Sequence, residues 1–364
     1  MADAREPRLR LLRSANIGPI TYRQLLARFG TAEAALEALP MLAVRGGGRP
    51  PRIADADGVR REIARVETLG ARYLFLDDPD YPALLAETDS APPALIVRGR
   101  IELLARECVA LVGARNASAA ACRFARQLAL GLADAGTTVV SGLARGIDTA
   151  AHVGAIGGGT IAVIASGIDV AFPPENRDLQ ERIAGEGLLL AEQPPGTEPL
   201  ARFFPSRNRI IAGLSLGTVV VEAAPKSGSL ITARLAAEAG RDVMAVPGSP
   251  LDPRAQGCNL LIREGATLVQ TVDDILEAIR PIDPRAVRSP AGGFEGPPPG
   301  DPSDGDRQAV IALLGPVPVA VDELIRQSGL APAAVQTVLL ELELGGGLER
   351  HAGAKVSLAG RALP

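Results

Sequence analysis

The chain of 364 residues is poor in the residue types that build metal sites and aromatic cores. It has no tryptophan, three cysteines and two histidines, and aromatic residues make up 3% of it. Cys108, Cys122 and Cys258 are far apart and form no CxxC motif. We therefore expect free, buried thiols in a reducing compartment, with no metal site and no cofactor.

Targeting signals and long apolar runs are also absent. The first ten residues are polar and charged, so we expect no secretory signal. No apolar run reaches the roughly 18 residues of a membrane span. We expect a cytoplasmic protein with no membrane contact. The hydrophobic content of 47% predicts a well-packed protein, and the length predicts two or three domains.

Lysine is nearly absent, since Lys226 and Lys355 are the only lysines among 38 basic residues. The net charge of −4 argues against a protein that binds polyanions over its whole surface. A local basic site stays open, because phosphate contacts depend on local charge.

The segment FFPSRNRIIAG, residues 203–213, contains two arginines and no acidic residue. We expect Ser206 to cap a helix, which would place Arg207 and Arg209 in its first turn, against the helix dipole. Such a conflict indicates a bound anion. The alternative is that either arginine pairs with Glu192 or Glu222.

Four segments differ in pattern. Residues 1–70 have helical apolar spacing and resemble a SAM or helix-hairpin-helix unit, with a small capping bundle as the alternative. Residues 71–280 alternate short apolar strands with helices, which predicts an α/β fold with an extended Rossmann-like, doubly wound parallel sheet. Residues 281–305 predict a Pro/Gly-rich linker, and residues 306–364 a winged helix.

The predicted recognition helix of the winged helix, Pro332–Leu344, has no basic residue and carries Glu341 and Glu343. These carboxylates would repel phosphate in a DNA groove. We infer that this domain contacts protein or regulates the chain, rather than reading DNA.

Ligands of doubly wound sheets bind in the loops that follow the strands. Four such loops carry Gly and Ser ahead of a helix, an arrangement that favours anions. The loops are residues 113–118, 141–148, 166–176 and 224–229. Cations lie in or just beyond them, at Arg115, Arg145, Arg177 and Lys226.

Enzymatic motifs are weak. There is no GxGxxG or Walker A motif, no diagnostic carboxylate pair and no supported Ser/His/Asp set, so we expect no catalytic residues. His152 is expected to orient a loop or bond a carbonyl, and Asp148 and Asp169 to cap helices or brace loops. The alternative function is a nucleotide-processing enzyme of the lysine-decarboxylase-like phosphoribohydrolase type, whose PGGxGTxxE motif is echoed only at Gly217-Thr218 and Glu222.

Long motifs identify a resemblance. VALVGARNAS, VVSGLARGIDTAAHVGAI, FFPSRNRIIAGLS and VVVEAAPKSGSLITARLAAEAGRDVMAVPG occur in the order of the DNA-processing protein A family, also called Smf. The resemblance is strong from Tyr73 to Ile279 and looser in the flanking units. It implies a non-enzymatic protein of natural transformation and recombination that binds and protects incoming single-stranded DNA and loads the RecA recombinase. It also implies a homodimer with contacts near residues 259–269.

The resemblance further implies DNA-binding residues in the matching motifs. They are Arg115 in VGAR; Ser141, Gly142 and Arg145 in SGLARG; Arg207, Asn208 and Arg209 in PSRNR; and Lys226, Ser227, Gly228, Ser229 and Thr232 around SGSLIT. Asn116 and Asn176, in the loops after β-strand segments 108–112 and 160–166, also belong to the predicted set.

The chain departs from the family at FPPEN. Phe172 stands where Tyr is common, and Pro174-Glu175 stands where a basic residue precedes the Asn. Arg177 is the candidate replacement for that cation. Phe172 is a candidate surface for stacking of a base, with core packing as the alternative.

Overall fold

The computed structural model describes residues 5–279, 301–351 and 353–359. They form two compact units, one within residues 62–286 and the other within residues 1–61 and 287–364. Most of the predicted linker lies outside the described residues, and the predicted domain boundaries stay predictions. None of the described helices is long and apolar enough to cross a membrane.

Helices and strands alternate through the larger unit, while helices dominate the smaller one. The helices are α1 (Arg5–Arg13), α2 (Pro19–Phe29), α3 (Ala32–Arg45), α4 (Ala56–Thr68), α5 (Ala83–Ala86), α6 (Ala119–Asp134), α7 (Ile147–Ala155), α8 (Arg177–Glu186), α9 (Phe203–Leu214), α10 (Gly228–Glu238), α11 (Gln256–Arg263), α12 (Val272–Ala278), α13 (Asp304–Ala312), α14 (Val321–Ser328) and α15 (Pro332–Leu344). The strands are β1 (Arg72–Phe75), β2 (Ala94–Gly99), β3 (Cys108–Val112), β4 (Thr138–Ser141), β5 (Thr160–Gly167), β6 (Leu188–Gln193), β7 (Gly217–Val220), β8 (Asp242–Ala245), β9 (Thr267–Leu268), β10 (Val319–Ala320), β11 (Leu348–His351) and β12 (Lys355–Leu358).

The described part of the larger unit contains one sheet in the order β1-β2-β6-β5-β4-β3-β7-β8-β9. From β6 to β9 along this order, neighbouring strands are parallel. Strands β1 and β2 extend the sheet through antiparallel pairing. The strands 72–75 and 94–99 therefore belong to this sheet, which is why the Rossmann-like fold is extended.

Helices cover both faces of this sheet, and alternate strand residues point to opposite faces. On one face, α6, α7 and α12 pack in a cluster that contains Val109 and Leu111 of β3. On the other face, α9, α10 and α11 pack in a cluster that contains Ala110 and Val112. This arrangement confirms the predicted doubly wound α/β fold.

The smaller unit combines the N-terminal helices with the winged helix, whose described strands pair in the order β10-β12-β11. Leu340 and Leu344 of α15 lie in the same apolar cluster as Leu11, Leu25 and Leu39 of α1, α2 and α3. The predicted recognition helix therefore packs against the chain's own N-terminal helices.

The acidic residues of α15 are paired inside this unit. Glu341 is 1% exposed, and its Oε2 lies 2.8 Å from Nε of Arg307. Glu343 pairs with Arg350 at 2.9 Å. The backbones also approach closely, because a Cβ on Gly46 would lie 2.0 Å from the carbonyl oxygen of Glu341. The two carboxylates thus stabilise packing within the unit.

Candidate nucleic-acid interface

The four Gly- and Ser-containing loops follow β3, β4, β5 and β7 and open at the carboxyl edge of the sheet. Helix α9 packs against β3, β4 and β5. Between α9 and the β4 and β5 loops lies a concave site that we call the arginine pocket. Its lining residues are Arg115, Gly142, Ala144, Arg145, Ala165, Ser166, Phe172, Pro173, Pro199, Phe204 and Arg207.

Arg207 is the most unusual side chain of the arginine pocket. It is 7% exposed, and its buried Nε has no hydrogen-bond partner among the described residues. Its closest carboxylate oxygen in the described structure, Oδ2 of Asp148, lies 4.0 Å from Nη1. The guanidinium packs so closely on Gly142 that a Cβ there would lie 1.4 Å from Nη1. A buried cation with so few partners favours an anionic ligand.

Asp148 braces the loop beside Arg207. Its Oδ2 accepts hydrogen bonds from the backbone N–H groups of Gly142 at 3.1 Å and Ala144 at 3.4 Å. Burial raises the pKa of Asp148, against the opposing effects of Arg207 and the two N–H groups. Burial likewise lowers the pKa of Arg207, against the effect of Asp148. The predicted loop-bracing role of Asp148 is confirmed.

His152 lies below this loop and is fully buried. Its Nδ1 lies 2.8 Å from Oγ1 of Thr160, which donates its own proton to the carbonyl of Val139. Nδ1 therefore donates to the hydroxyl of Thr160, and not to a carbonyl, which was one of the two expected roles. Burial, together with Arg207, lowers the pKa of His152 to about 3, so the imidazole is neutral at physiological pH.

An aromatic surface borders the arginine pocket. The guanidinium carbon of Arg115 lies 5.1 Å from the centre of the Phe204 ring, and that of Arg207 lies 6.0 Å from it. The ring of Phe172 lies 5.8 Å from that of Phe204. Phe172 is 40% exposed, so it is not a core residue. Arg145 at the rim pairs with Glu175 at 3.2 Å, and both side chains are exposed.

The structure separates Arg209 from Arg207. Arg209 pairs with Oε1 of Glu192 and donates a hydrogen bond to the carbonyl of Ser90. Glu192 also accepts a bond of 3.1 Å from the hydroxyl of Ser206. The expected pairing with a carboxylate therefore occurs at Arg209, whereas Arg207 faces the pocket.

The predicted start of α9 at Ser206 is wrong. The helix begins at Phe203 and has Arg202 as its N-cap residue, without a side-chain cap. Pro205 fits the first turn, where backbone N–H groups have no helical partner. The arginines thus lie in the second turn, and burial of Arg207, rather than the dipole, is the physical conflict at this site.

Several predicted site residues have structural roles. Ser141 is buried and donates to the carbonyl of Leu111 at 2.6 Å. Asn176 is 7% exposed and donates to the carbonyl of Leu143 and the hydroxyl of Thr149.

Three further predicted asparagine and arginine residues are more accessible. Asn208 is half-buried, and Asn116 and Arg177 are exposed.

The loop before α10 lies outside the lining of the arginine pocket. Lys226 and Gly228 are exposed there. Ser227 caps α10 by accepting from the N–H of Ser229. Ser229 and Thr232 are 7% and 2% exposed, so Lys226 is the predicted site residue of this loop whose side chain is exposed.

Two residues at the arginine pocket, Phe204 and Asp148, were not among the predicted site residues. Phe204 links Phe172, Arg115 and Arg207. The adjacent pair Phe203-Phe204, in a chain with seven phenylalanines, is the signal that could have found it. Asp148 was predicted to brace a loop, but its proximity to Arg207 depends on the packing of α9.

The described residues can be compared with the requirements of a metal site and of a reactive thiol. No three His, Cys, Asp or Glu side chains lie together there as a metal site would require. The three cysteines are free. Burial raises the pKa of Cys108 and of Cys258 to about 12, so neither is a thiolate at neutral pH.

Comparison with known families gives three matches along the chain. Residues 72–280 match the family described as DNA recombination-mediator protein A. Residues 2–64 match a DprA-like N-terminal HHH domain, and residues 295–354 match a DprA winged helix domain. Together these matches span most of the sequence.

Individual relatives agree with these matches. Protein Smf of Synechocystis is 35% identical over 93% of this chain and 94% of its own length. An X-ray structure of DNA processing protein A from Streptococcus pneumoniae is 44% identical, with a TM-score of 0.58, over 62% of this chain and 78% of that one. A DNA processing protein A structure from Helicobacter pylori, described for its single-stranded DNA binding mode, is 29% identical, with a TM-score of 0.52, over 56% of this chain and 94% of that one.

Proposed function

The chain belongs to the DNA recombination-mediator protein A family, and we propose that its arginine pocket binds the phosphate backbone of single-stranded DNA. The observation that carries the proposal is Arg207, which lies beside a second pocket arginine, Arg115. Its buried Nε has no hydrogen-bond partner in the part of the chain that the structure describes. A phosphate supplies negative charge and several acceptor oxygens, which would satisfy this guanidinium.

The aromatic border supports a single strand over a duplex. Unpaired bases stack on exposed aromatic rings with little sequence preference. Phe172 is exposed and packs against Phe204, which in turn lies under Arg115. Phosphates on the arginines and a base on Phe172 would hold one strand along the edge of the sheet. Asn116, Arg145, Arg177 and Lys226 are the exposed polar residues that would extend this path.

The wider function that we propose is protection of incoming single strands in natural transformation and loading of the RecA recombinase. The Helicobacter pylori relative is described as binding single-stranded DNA, and the matching family as a recombination mediator. This function requires a cytoplasmic protein. The alternative of a nucleotide-processing enzyme has less support, because Glu222 is 8% exposed and hydrogen-bonded to Ser118.

We also propose a homodimer through residues 259–269. This region contains β9, which is an edge strand of the sheet as far as the described residues show, and both residues of β9 are exposed. Leu268 on that strand is 41% exposed, and Leu251 nearby in sequence is 92% exposed. An unpaired strand edge with exposed apolar side chains favours association.

The test is a fluorescence anisotropy titration of the full chain with labelled oligo-dT and with a duplex of the same length. We expect tighter binding of oligo-dT, with an affinity that falls linearly with salt on a log–log plot. The variant Arg115→Ala/Arg207→Ala should lose most of this affinity.

The matched control is Arg234→Ala, which removes an exposed arginine that pairs with Glu238 on α10, outside the pocket. This control should bind DNA as the wild type does. Equal binding of single strand and duplex, or an unchanged affinity in the double variant, would reject the proposal.

A further inference from the structure

The sheet has a point where its connections change direction, between β3 and β7. The chain leaves β3 toward β4, β5 and β6 on one side, and later returns to place β7 on the other side. Open α/β sheets usually bind their ligands in the crevice outside the carboxyl ends of the strands at this position. We call the space between the ends of β3 and β7 the switch-point crevice.

The carboxylate of Glu222 occupies the switch-point crevice. Glu222 lies just beyond β7, and Ser118 is the N-cap residue of α6, the helix that follows β3. Oε1 of Glu222 accepts from the N–H of Ser118 at 3.1 Å, and Oε2 accepts from its hydroxyl at 2.7 Å. The backbone carbonyl of Glu222 accepts from Ala114 at 2.7 Å. The carboxylate therefore makes the contacts that a phosphate makes at a helix N-terminus.

The surroundings of this carboxylate are the start of α6 and a neighbouring cleft. A cleft of about 300 Å³ opens beside it, lined in part by Phe124, Pro247 and Ser249. Nε of Arg254 lies 4.0 Å from Oε1 of Glu222. The start of the 16-residue helix α6 and the Ser118 hydroxyl would be the donors for a phosphate at this position. Arg254 is bound through two hydrogen bonds to the carboxylate of Asp252, which also lines the cleft.

We propose that Glu222 is a specificity-determining residue that excludes phosphate from the switch-point crevice. Its carboxylate takes the place of a phosphate group, so inorganic phosphate and mononucleotides do not bind there. The phosphates of DNA are then restricted to the arginine pocket on the other side of β3. The exclusion of phosphate by Glu222 does not depend on DNA binding. The restriction of DNA phosphates to the arginine pocket rests on the proposed function of that pocket.

The test measures phosphate binding in a chain whose arginine pocket is disabled by Arg207→Met. The Tm of this variant should not depend on inorganic phosphate at constant ionic strength. Adding Glu222→Ala should produce a saturable rise in Tm, of about 3 °C at ten times the Kd. Isothermal titration calorimetry should show binding of phosphate to the double variant and not to Arg207→Met alone.

The control for folding is Glu222→Gln, which keeps the shape and an acceptor oxygen for Ser118 while removing the charge. It should gain phosphate binding that is weaker than that of Glu222→Ala. Absence of phosphate binding in both variants, each with the circular dichroism spectrum of the wild type, would overturn the proposal. That result would leave the DNA affinity of the arginine pocket untouched, so the two failures are distinguishable.

Discussion

The arginine pocket and the switch-point crevice lie at the same edge of one sheet, but their buried charged groups differ in how fully they are hydrogen-bonded. In the crevice, Glu222 meets the helix N-terminus and the hydroxyl of Ser118, so its charge is satisfied within the chain. In the pocket, the buried Nε of Arg207 has no hydrogen-bond partner within residues 5–279, 301–351 and 353–359, and the carboxylate of Asp148 lies 4.0 Å from Nη1. The comparison indicates that position in the fold alone does not select the candidate site, whereas a buried charge with few partners does.

The same contrast occurs within helix α9. Arg207 and Arg209 are two residues apart, so they point to nearly opposite sides of the helix. Arg209 pairs with Glu192 and bonds the carbonyl of Ser90, whereas Arg207 faces the pocket. One arginine stabilises the fold, and the other is available to a ligand.

The largest expected effect is that of Arg207→Met. Loss of a buried, charge-assisted contact to phosphate should lower the affinity for oligo-dT roughly 100-fold. The free energy of unfolding should change less than it does in Arg209→Met, because Asp148 keeps the hydrogen bonds from the N–H groups of Gly142 and Ala144 after its cation is removed. Anisotropy titrations and urea denaturation measure the two quantities. A loss of stability with unchanged affinity would show that Arg207 is structural.

The matched substitution Arg209→Met should give the reverse result. It leaves Glu192 without its cationic partner, and both side chains are less than one-fifth exposed. We expect the free energy of unfolding to fall by about 2 kcal/mol, and the DNA affinity to change less than about 3-fold at temperatures where the variant is folded. A 100-fold loss of affinity in a folded Arg209→Met variant would remove the distinction between the two arginines.

We expect the free energy of unfolding to depend on pH through His152. The folded-state pKa of His152 is about 3, so between pH 3 and its ordinary value the unfolded chain binds a proton that the folded chain does not. This contribution to stability is present above pH 6.5 and is lost as pH falls. We expect a loss of about 1.4 kcal/mol between pH 7.5 and 5.5.

His152→Gln isolates this contribution. Asp148, whose pKa is raised, acts in the opposite direction, but it does so in both proteins. The difference between the pH profiles of wild type and variant, from urea denaturation, therefore reports His152. Parallel profiles would mean that His152 is not held neutral by burial.

The smallest expected effect concerns Arg115, which is exposed at the pocket. Each phosphate contact to a single strand contributes about 0.7 to the slope of log affinity against log salt. Arg115→Ala should reduce that slope by about this amount, with a modest loss of affinity at low salt. An unchanged slope would place Arg115 outside the path of the DNA backbone.

Much of the fold could be predicted from the sequence because its signals are local. Strands such as β3 and β5 are short apolar runs buried on both faces, which is typical of a parallel sheet. The start of α9 was mispredicted because Arg202 provides no side-chain cap. The usual signal of a capping Ser, Thr, Asp or Asn is missing there.

The loops of the candidate site could be predicted from the sequence, but the pairing of its charged side chains could not. The Gly- and Ser-containing loops and their arginines are visible in the sequence, and a sheet brings them to one edge. Which arginine pairs with Glu192, and which carboxylate fills the switch-point crevice, depends on strand order and on the packing of α9. These are long-range contacts that no local pattern encodes.

The most direct test of this account is a crystal structure of the full chain with oligo-dT. We expect a phosphate oxygen within about 3.2 Å of the Arg207 guanidinium, with Glu222 still hydrogen-bonded to Ser118. A strand whose phosphates occupy the switch-point crevice, with Glu222 displaced and Arg207 free of DNA, would contradict it.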